Sequence, residues 1–178
     1  LHMDGARLPN AVIASGVSAK AMCALCDSTW LDLSKGLGCP VGGVLAGSKA
    51  FIDEAWRWKH RLGGALRQSG ILTAAGLYAL DHNWDNLAVD HANASHFANL
   101  VRDIKGVSFV YEKIETNLVF LDVSKTGKMA AEISAALMNH SVRIGAMGPY
   151  LLRAVTHLDV NKTDVEIAAQ ALRKVLAA

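Results

Sequence analysis

The chain has 178 residues, with 18 lysines and arginines against 16 aspartates and glutamates, a formal net charge of +2. That near-neutral balance argues against nucleic acid or a membrane surface as the main partner. An apolar fraction of 52 % with only 19 % charged residues allows a sizeable core in one ordinary domain, or one and a half small ones, and no apolar run reaches the roughly 18 residues of a spanning helix.

The chain opens on Leu1 rather than Met, and residues 1–4 already read as the end of a strand, so residues upstream of Leu1 are expected. No basic segment followed by an apolar one marks a secretory leader here. Gly5 opens a turn. Residues 10–17 and 18–24 read as helical or irregular. The three cysteines, Cys23, Cys26 and Cys39, are an odd number and fit a reducing, cytoplasmic compartment. Cys23-x-x-Cys26 has the spacing of half a zinc or redox site. With no second pair at ligand spacing, no metal is expected, and small buried cysteines are the better reading.

Residues 27–33 read as a strand and residues 41–46 as a second. Ser48 suits the N-cap of a helix over residues 49–61. Phe51, Ala55 and Trp58 share one face of it, and Lys59, His60 and Arg61 load its last turn with positive charge. Gly63-Gly64 ends it. Residues 71–80 are apolar nearly all round, which predicts a buried helix. A long helix is expected from Asp81 to about Ile104. Beyond Lys105 the texture changes. Residues 107–111, 118–123, 142–144 and 151–155 read as strands, with helices over 129–139 and 163–176. Alternating strands and helices predict an α/β class. The boundary is placed near residue 104: residues 1–104 are part of a larger sheet domain, and 105–178 form a small α/β domain.

The stretch with most chemical content is Leu31-Asp32-Leu33-Ser34-Lys35-Gly36-Leu37-Gly38. Alternation along the strand puts Thr29, Leu31, Leu33 and Lys35 on one side. Gly36 and Gly38 let the backbone turn and another group come close. A lysine at the end of a buried strand is partly desolvated, which favours the neutral, nucleophilic amine. Such an amine forms a Schiff base with a carbonyl. A solvated strand-end lysine is the plainer alternative.

Three further segments accompany it. In His2-Met3-Asp4-Gly5-Ala6-Arg7, Asp4 at a strand end and Arg7 three positions on place opposite charges at one rim of a sheet, where active sites of open α/β sheets gather. A surface ion pair of little worth is the alternative. In the segment over residues 63–70, glycines precede Arg67 at a helix start, which suits an anion such as a phosphate. In Leu152-Arg153-Ala154-Val155-Thr156-His157, Arg153 lies in an apolar strand. It needs either a structural carboxylate or one carried by a substrate. His157 reads better as a satisfied strand-end histidine than as a catalyst.

Taken together, four motifs resemble the low-specificity L-threonine aldolases: His-Met-Asp-Gly-Ala-Arg (2–7), Asp-Ser-Thr-Trp-Leu-Asp-Leu-Ser-Lys-Gly-Leu-Gly-Cys-Pro-Val-Gly (27–42), Leu-Arg-Gln-Ser-Gly (66–70) and Arg-Ala-Val-Thr-His-Leu-Asp-Val (153–160). Their order and spacing fit, and they span nearly the whole chain. The resemblance implies an α/β fold: the C-terminal part of a fold-type-I large domain, with a mixed, mostly parallel sheet, plus a small α/β C-terminal domain. It implies pyridoxal 5′-phosphate as cofactor, with Lys35 as its Schiff-base lysine. Asp4 would face the ring nitrogen, where a carboxylate keeps the pyridinium protonated and electron-withdrawing. Arg7 and Arg153 would clamp the substrate carboxylate, and Arg67 would reach the cofactor phosphate from a neighbouring subunit.

The implied partners are an amino-acid substrate, a missing N-terminal half, and further copies in a homodimer or homotetramer with shared sites. The chain departs from the family at Ala65 and Leu66, where glycine and methionine are frequent. A phosphate-binding lysine of some members falls at His60, and Cys39 stands where a small residue is usual, exposing the site to thiol reagents. The implied reaction splits L-threonine, L-allo-threonine and related β-hydroxy-α-amino acids to glycine and an aldehyde. Alternatives are β-elimination, transamination or racemisation with the same cofactor, or a truncated, non-catalytic fragment.

Overall fold

The computed structural model describes residues 1–177. Contact density divides them into two compact units, Leu1–Leu87 and the residues from Ala88 onward. The division precedes the sequence-based boundary near residue 104. The reason is the helix Leu87–Val101, whose Ala94, Phe97, Ala98 and Val101 belong to the core of the second unit.

The first unit holds a three-stranded sheet, β1 (His2–Asp4), β2 (Ser28–Asp32) and β3 (Gly43–Gly47), in that order. β1 runs parallel to β2, with Asp4 opposite Trp30, and β2 runs antiparallel to β3, with Asp32 opposite Gly43. The sheet is mixed. Between β1 and β2 the chain forms α1 (Leu8–Ser15) and α2 (Ala19–Cys23). Gly5 is required at the exit of β1, because a Cβ there would stand 2.4 Å from the Trp30 carbonyl oxygen and 2.7 Å from Thr29 Oγ1. After β3 come α3 (Lys49–Arg61) and α4 (Gly70–His82). The Ser48 hydroxyl accepts the Phe51 N–H at 3.3 Å, as an N-cap does.

Two expectations fail in this unit. The apolar helix α4 is not buried: Gly76 and Ala79 are its buried residues, while Ile71 is 81 %, Tyr78 62 % and Leu77 60 % exposed. An apolar helix surface calls for cover, but within the described residues the core beneath α4 is small, built on Leu33, Leu37, Cys39 and Ala79. Nor does one long helix run from Asp81 to Ile104. Asn83 caps α4, and its side chain donates to the Leu37 carbonyl at 2.8 Å. A new helix, α5 (Leu87–Val101), then starts at fully buried Leu87.

The second unit has an antiparallel sheet of order β4 (Ser108–Phe109), β5 (Leu118–Asp122), β7 (Leu151–Val155), β6 (Gly145–Ala146). α5, α6 (Ala130–Met138) and α7 (Lys162–Ala177) supply helical residues to its core. Val119, Leu121, Ile133, Leu137, Leu152 and Leu172 are completely or almost completely buried there. A reciprocal cap starts α7: Asn161 N–H donates to Asp164 Oδ2 and Asp164 N–H to Asn161 Oδ1. Residues 142–144, expected as a strand, are not one. Ser141 sits at φ 57°, the Ser134 hydroxyl takes the Ile144 carbonyl at 2.7 Å, and strand pairing begins only at Gly145.

Candidate active site

The parallel pair β1–β2 ends on two aspartates, and each turns the chain in the same way. Asp4 Oδ1 accepts the Ala6 N–H at 3.1 Å. Asp32 Oδ1 accepts the Ser34 N–H at 2.8 Å and the Ser34 hydroxyl at 2.7 Å. These are Asx turns, in which a short carboxylate side chain replaces the backbone acceptor. They bring Arg7, at the N-terminus of α1, and Lys35 to the carboxyl edge of the same strand pair.

The loop that carries Lys35 is held from several sides. The Lys35 carbonyl accepts the Gly38 N–H, the Leu33 carbonyl accepts the Cys39 N–H, and the Leu33 N–H donates to Gly42. Leu37 is 1 % exposed. Gly36 packs so closely that a Cβ would stand 2.7 Å from Leu87 Cδ2 and 3.3 Å from Asn10 Oδ1. The backbone under the lysine is therefore fixed before anything binds to its amine.

The side chain does not point where alternation predicted. The strand ends at Asp32 and the Asx turn breaks the two-residue period. Lys35 Nζ thus lies 3.1 Å from Asp32 Oδ2 and 5.3 Å from the centre of the Trp30 ring, on the face opposite to Thr29 and Leu31. Asp4 pairs in register with Trp30, so its side chain leaves the sheet on that same face. Lys35, Asp4, Trp30 and Asp32 share one face at one edge. The lysine is not simply desolvated either: its side chain is 35 % exposed and ion-paired.

Asp32 is the residue that sequence reasoning missed, although a carboxylate three positions before a lysine in an apolar strand was visible in the sequence. Burial pushes its carboxyl up. The hydrogen bonds from the Ser34 hydroxyl and amide and from Lys35 outweigh that and hold it below the usual carboxylate range. Cys39 is 6 % exposed, its thiol donates to the Ala75 carbonyl at 3.5 Å, and burial pushes the thiol up. The expected sensitivity to thiol reagents at this position therefore has no basis in the fold. Cys23 and Cys26 are half-buried free thiols rather than buried ones.

The remaining expected residues lie elsewhere. Arg67 is exposed on the turn between α3 and α4, next to Gln68 at φ 52°. No described hydrogen bond or ion pair ties it to the Lys35 edge. His60 spends its ring Nδ1 on the Trp56 carbonyl at 2.9 Å. Arg153 belongs to the second unit, in β7 opposite Phe120 and Gly145. Its Nε is buried without a hydrogen-bond partner among the described residues, an exception among buried polar groups, which are as a rule hydrogen-bonded. His157 lies 3.9 Å from exposed Asp159. Asp90, on α5, is 2 % exposed, and its Oδ2 has no hydrogen-bond partner among the described residues. Burial pushes its carboxyl up, and the nearby His157 opposes this.

An amine at a strand edge with a carboxylate on the same face is the donor set that a ring-nitrogen aldehyde cofactor needs. Known proteins resemble this chain over nearly its whole length. The low-specificity L-threonine aldolase of Escherichia coli K12 is 42 % identical over 170 residues, 95 % of this chain and 49 % of that protein. Low-specificity L-threonine aldolase 1 of Arabidopsis thaliana is 38 % identical over 166 residues, 93 % of this chain and 46 % of that protein. Among solved structures, a protein of Listeria monocytogenes EGD-E assigned as an L-allo-threonine aldolase superposes with a TM-score of 0.81 at 25 % identity, covering 98 % of this chain and 52 % of that one. The chain thus spans about half the length of the curated relatives it matches. Its fold is that of the fold-type-I enzymes, and the beta-eliminating lyase and threonine aldolase families depend on pyridoxal phosphate. Residues 1–126 match the beta-eliminating lyase family, to which this chain belongs.

Proposed function

We propose that the protein is a pyridoxal-phosphate-dependent carbon–carbon lyase that splits L-threonine, L-allo-threonine and related β-hydroxy-α-amino acids into glycine and an aldehyde. The observation that carries this reading is the shared face of Lys35 and Asp4 at the carboxyl edge of β1–β2, in a chain whose relatives are named threonine aldolases. Lys35 would hold the cofactor's carbonyl carbon and Asp4 its ring nitrogen. Bound there, pyridoxal phosphate supplies an electron sink for the pair left when a bond to the substrate Cα breaks. The chain's own residues bind and orient. Asp4 would face the ring nitrogen, and its Asx turn fixes the direction of the carboxylate. Arg7 and Arg153 bind the substrate carboxylate with guanidinium forks. The unpartnered Nε supports this for Arg153. Arg67, free of the Lys35 edge, serves the phosphate of a neighbouring copy, which makes the assembly a homodimer or homotetramer. β-elimination is the second reading, favoured by the family name.

Borohydride reduction of the full-length protein followed by peptide mapping tests the assignment. A pyridoxyl adduct is expected on the Lys35 peptide, and threonine-dependent release of glycine and acetaldehyde should accompany it. Lys35→Ala removes the adduct and lowers turnover by about 10³-fold or more, as loss of a covalent catalyst does. Arg153→Ala raises KM for threonine about 10- to 100-fold, the equivalent of one charge-assisted hydrogen bond. An adduct on another lysine, or an unchanged KM, removes the corresponding role.

A further inference from the structure

The reading of Lys35 as the cofactor lysine leaves one charge at this edge unused. Asp32 is placed as a built partner for the amine. Its side chain is only 12 % exposed. Its Oδ1 is saturated by the amide and hydroxyl of Ser34, which fixes the carboxylate plane and leaves Oδ2 aimed at Lys35 Nζ, 3.1 Å away. The Trp30 ring stands 5.3 Å from the same nitrogen, at the distance of a cation–π contact. The amine is therefore bracketed by two groups that both prefer it positively charged. Among the described residues, the other titratable groups placed at this edge include Asp4 on β1, Arg7 ahead of α1 and the buried thiol of Cys39. β3 carries none, and α4 presents Gly76 and Ala79 to this core.

We propose that Asp32 is a positioning residue for Lys35: it holds the amino group at the strand edge in the unloaded protein and keeps a positive charge on that nitrogen after it has bonded to the cofactor's aldehyde carbon. The proposal rests on the reading of Lys35 as the cofactor lysine. The balance is simple. An ammonium and an aldehyde give a C=N bond whose nitrogen still carries its proton, and one water leaves. One positive charge stands beside the Asp32 carboxylate before and after, so no proton has to enter or leave the edge. With Asp32 ionised through the working range, the carboxylate is always available for that charge.

The test uses the full-length protein with Asp32→Asn, Asp32→Ser and Asp32→Glu. In the loaded protein, the pH at which the visible absorbance of the protonated C=N chromophore is half lost should fall by about one unit or more in the Asn and Ser variants, the effect of removing an adjacent opposite charge. Asp32→Glu should restore most of it. In the unloaded protein, acetylation of Lys35 at fixed pH, read by peptide mass mapping, should be severalfold faster in the Asn and Ser variants, with the other lysines unchanged. A merely structural role would speed the labelling by exposing the amine but would leave the absorbance midpoint in place, and Asp32→Glu would not then act through charge, so the midpoint is the deciding readout. An unchanged absorbance midpoint in whichever neutral variant folds would overturn the role of Asp32, whatever the labelling does. An adduct mapped to a different lysine in the wild-type protein would instead sink the reading on which it rests.

Discussion

The two units handle the same apolar-rich composition in opposite ways. From Ala88 onward, helices α5, α6 and α7 and the antiparallel sheet converge on one continuous cluster, with Leu121, Ile133, Leu137, Leu152 and Leu172 at 0 % exposure. In the unit Leu1–Leu87 the cluster consists of Leu33, Leu37, Cys39 and Ala79. Around it Val44, Leu45, Trp56, Trp58, Leu66, Ile71 and Leu77 all remain exposed. The unit with the small core is the one that carries the proposed lysine. Its stability at the site comes from local devices instead: two Asx turns, Asn83 on the Leu37 carbonyl, and glycines that admit close backbone contacts. A rigid site does not require a large core beneath it. It requires that the few backbone groups around the reactive side chain have no other place to go.

That contrast can be broken by substitution. The largest effect is expected at Leu152. Leu152→Ala should cost about 2–5 kcal/mol, the range for a fully buried leucine, read as a lower denaturant midpoint with an unchanged slope. A loss below about 1 kcal/mol would mean that the second core is not the tightly packed one.

A smaller effect of opposite sign is expected at Asp90. Its buried carboxyl is raised above its ordinary value, so the folded state binds this proton more tightly than the unfolded one. The cost of ionising it is full above the raised value and vanishes below the ordinary value of 3.8. Asp90→Asn should therefore stabilise the protein by about 1 kcal/mol near pH 8 and by progressively less as the pH falls toward 4. Thermal melts of both proteins across that range check the slope, and a gain that grows toward acid would refute the assignment.

The smallest effect is expected at Ile71, 81 % exposed on α4. Ile71→Ala should change the stability of the isolated chain by no more than about 0.5 kcal/mol. The same substitution in the full-length protein sharpens the comparison: a cost of 2 kcal/mol or more there, by the measure of a buried isoleucine, would mean that α4 is covered by something outside this chain.

Much of the architecture is legible in the sequence. The cap at Ser48 and the basic last turn located α3, and the strand before Lys35 located β2 and its edge. The motifs over residues 2–7, 27–42, 66–70 and 153–160 led to the family that the chain belongs to. Where expectation failed, a local signal met a non-local competitor. Residues 71–80 are apolar all round, and periodicity reports the demand for burial, not its supply. Val142 and Ile144 are buried like strand residues, but Ser141 sits at φ 57° just before them and the Ser134 hydroxyl donates to the Ile144 carbonyl. Asn83 leaves the helical pattern because its side chain is used on Leu37, 46 residues earlier.

The site divides in the same way. The sequence by itself determined that Lys35 follows a strand, that Asp4 and Arg7 end another, and that Arg153 lies inside an apolar strand. Those follow from propensity, alternation and turn chemistry, which act over a few residues. Only the tertiary structure decided that β1 and β2 are parallel neighbours, so that Asp4 and Lys35 meet at one edge. It also decided that the strand stops at Asp32 and turns Lys35 onto the Trp30 face, that Asp32 becomes its ion partner, and that the buried Arg153 Nε has no hydrogen-bond partner among the described residues. Which face a side chain reaches depends on where pairing ends and on what packs against the turn, and those are settled by contacts between segments far apart in the chain.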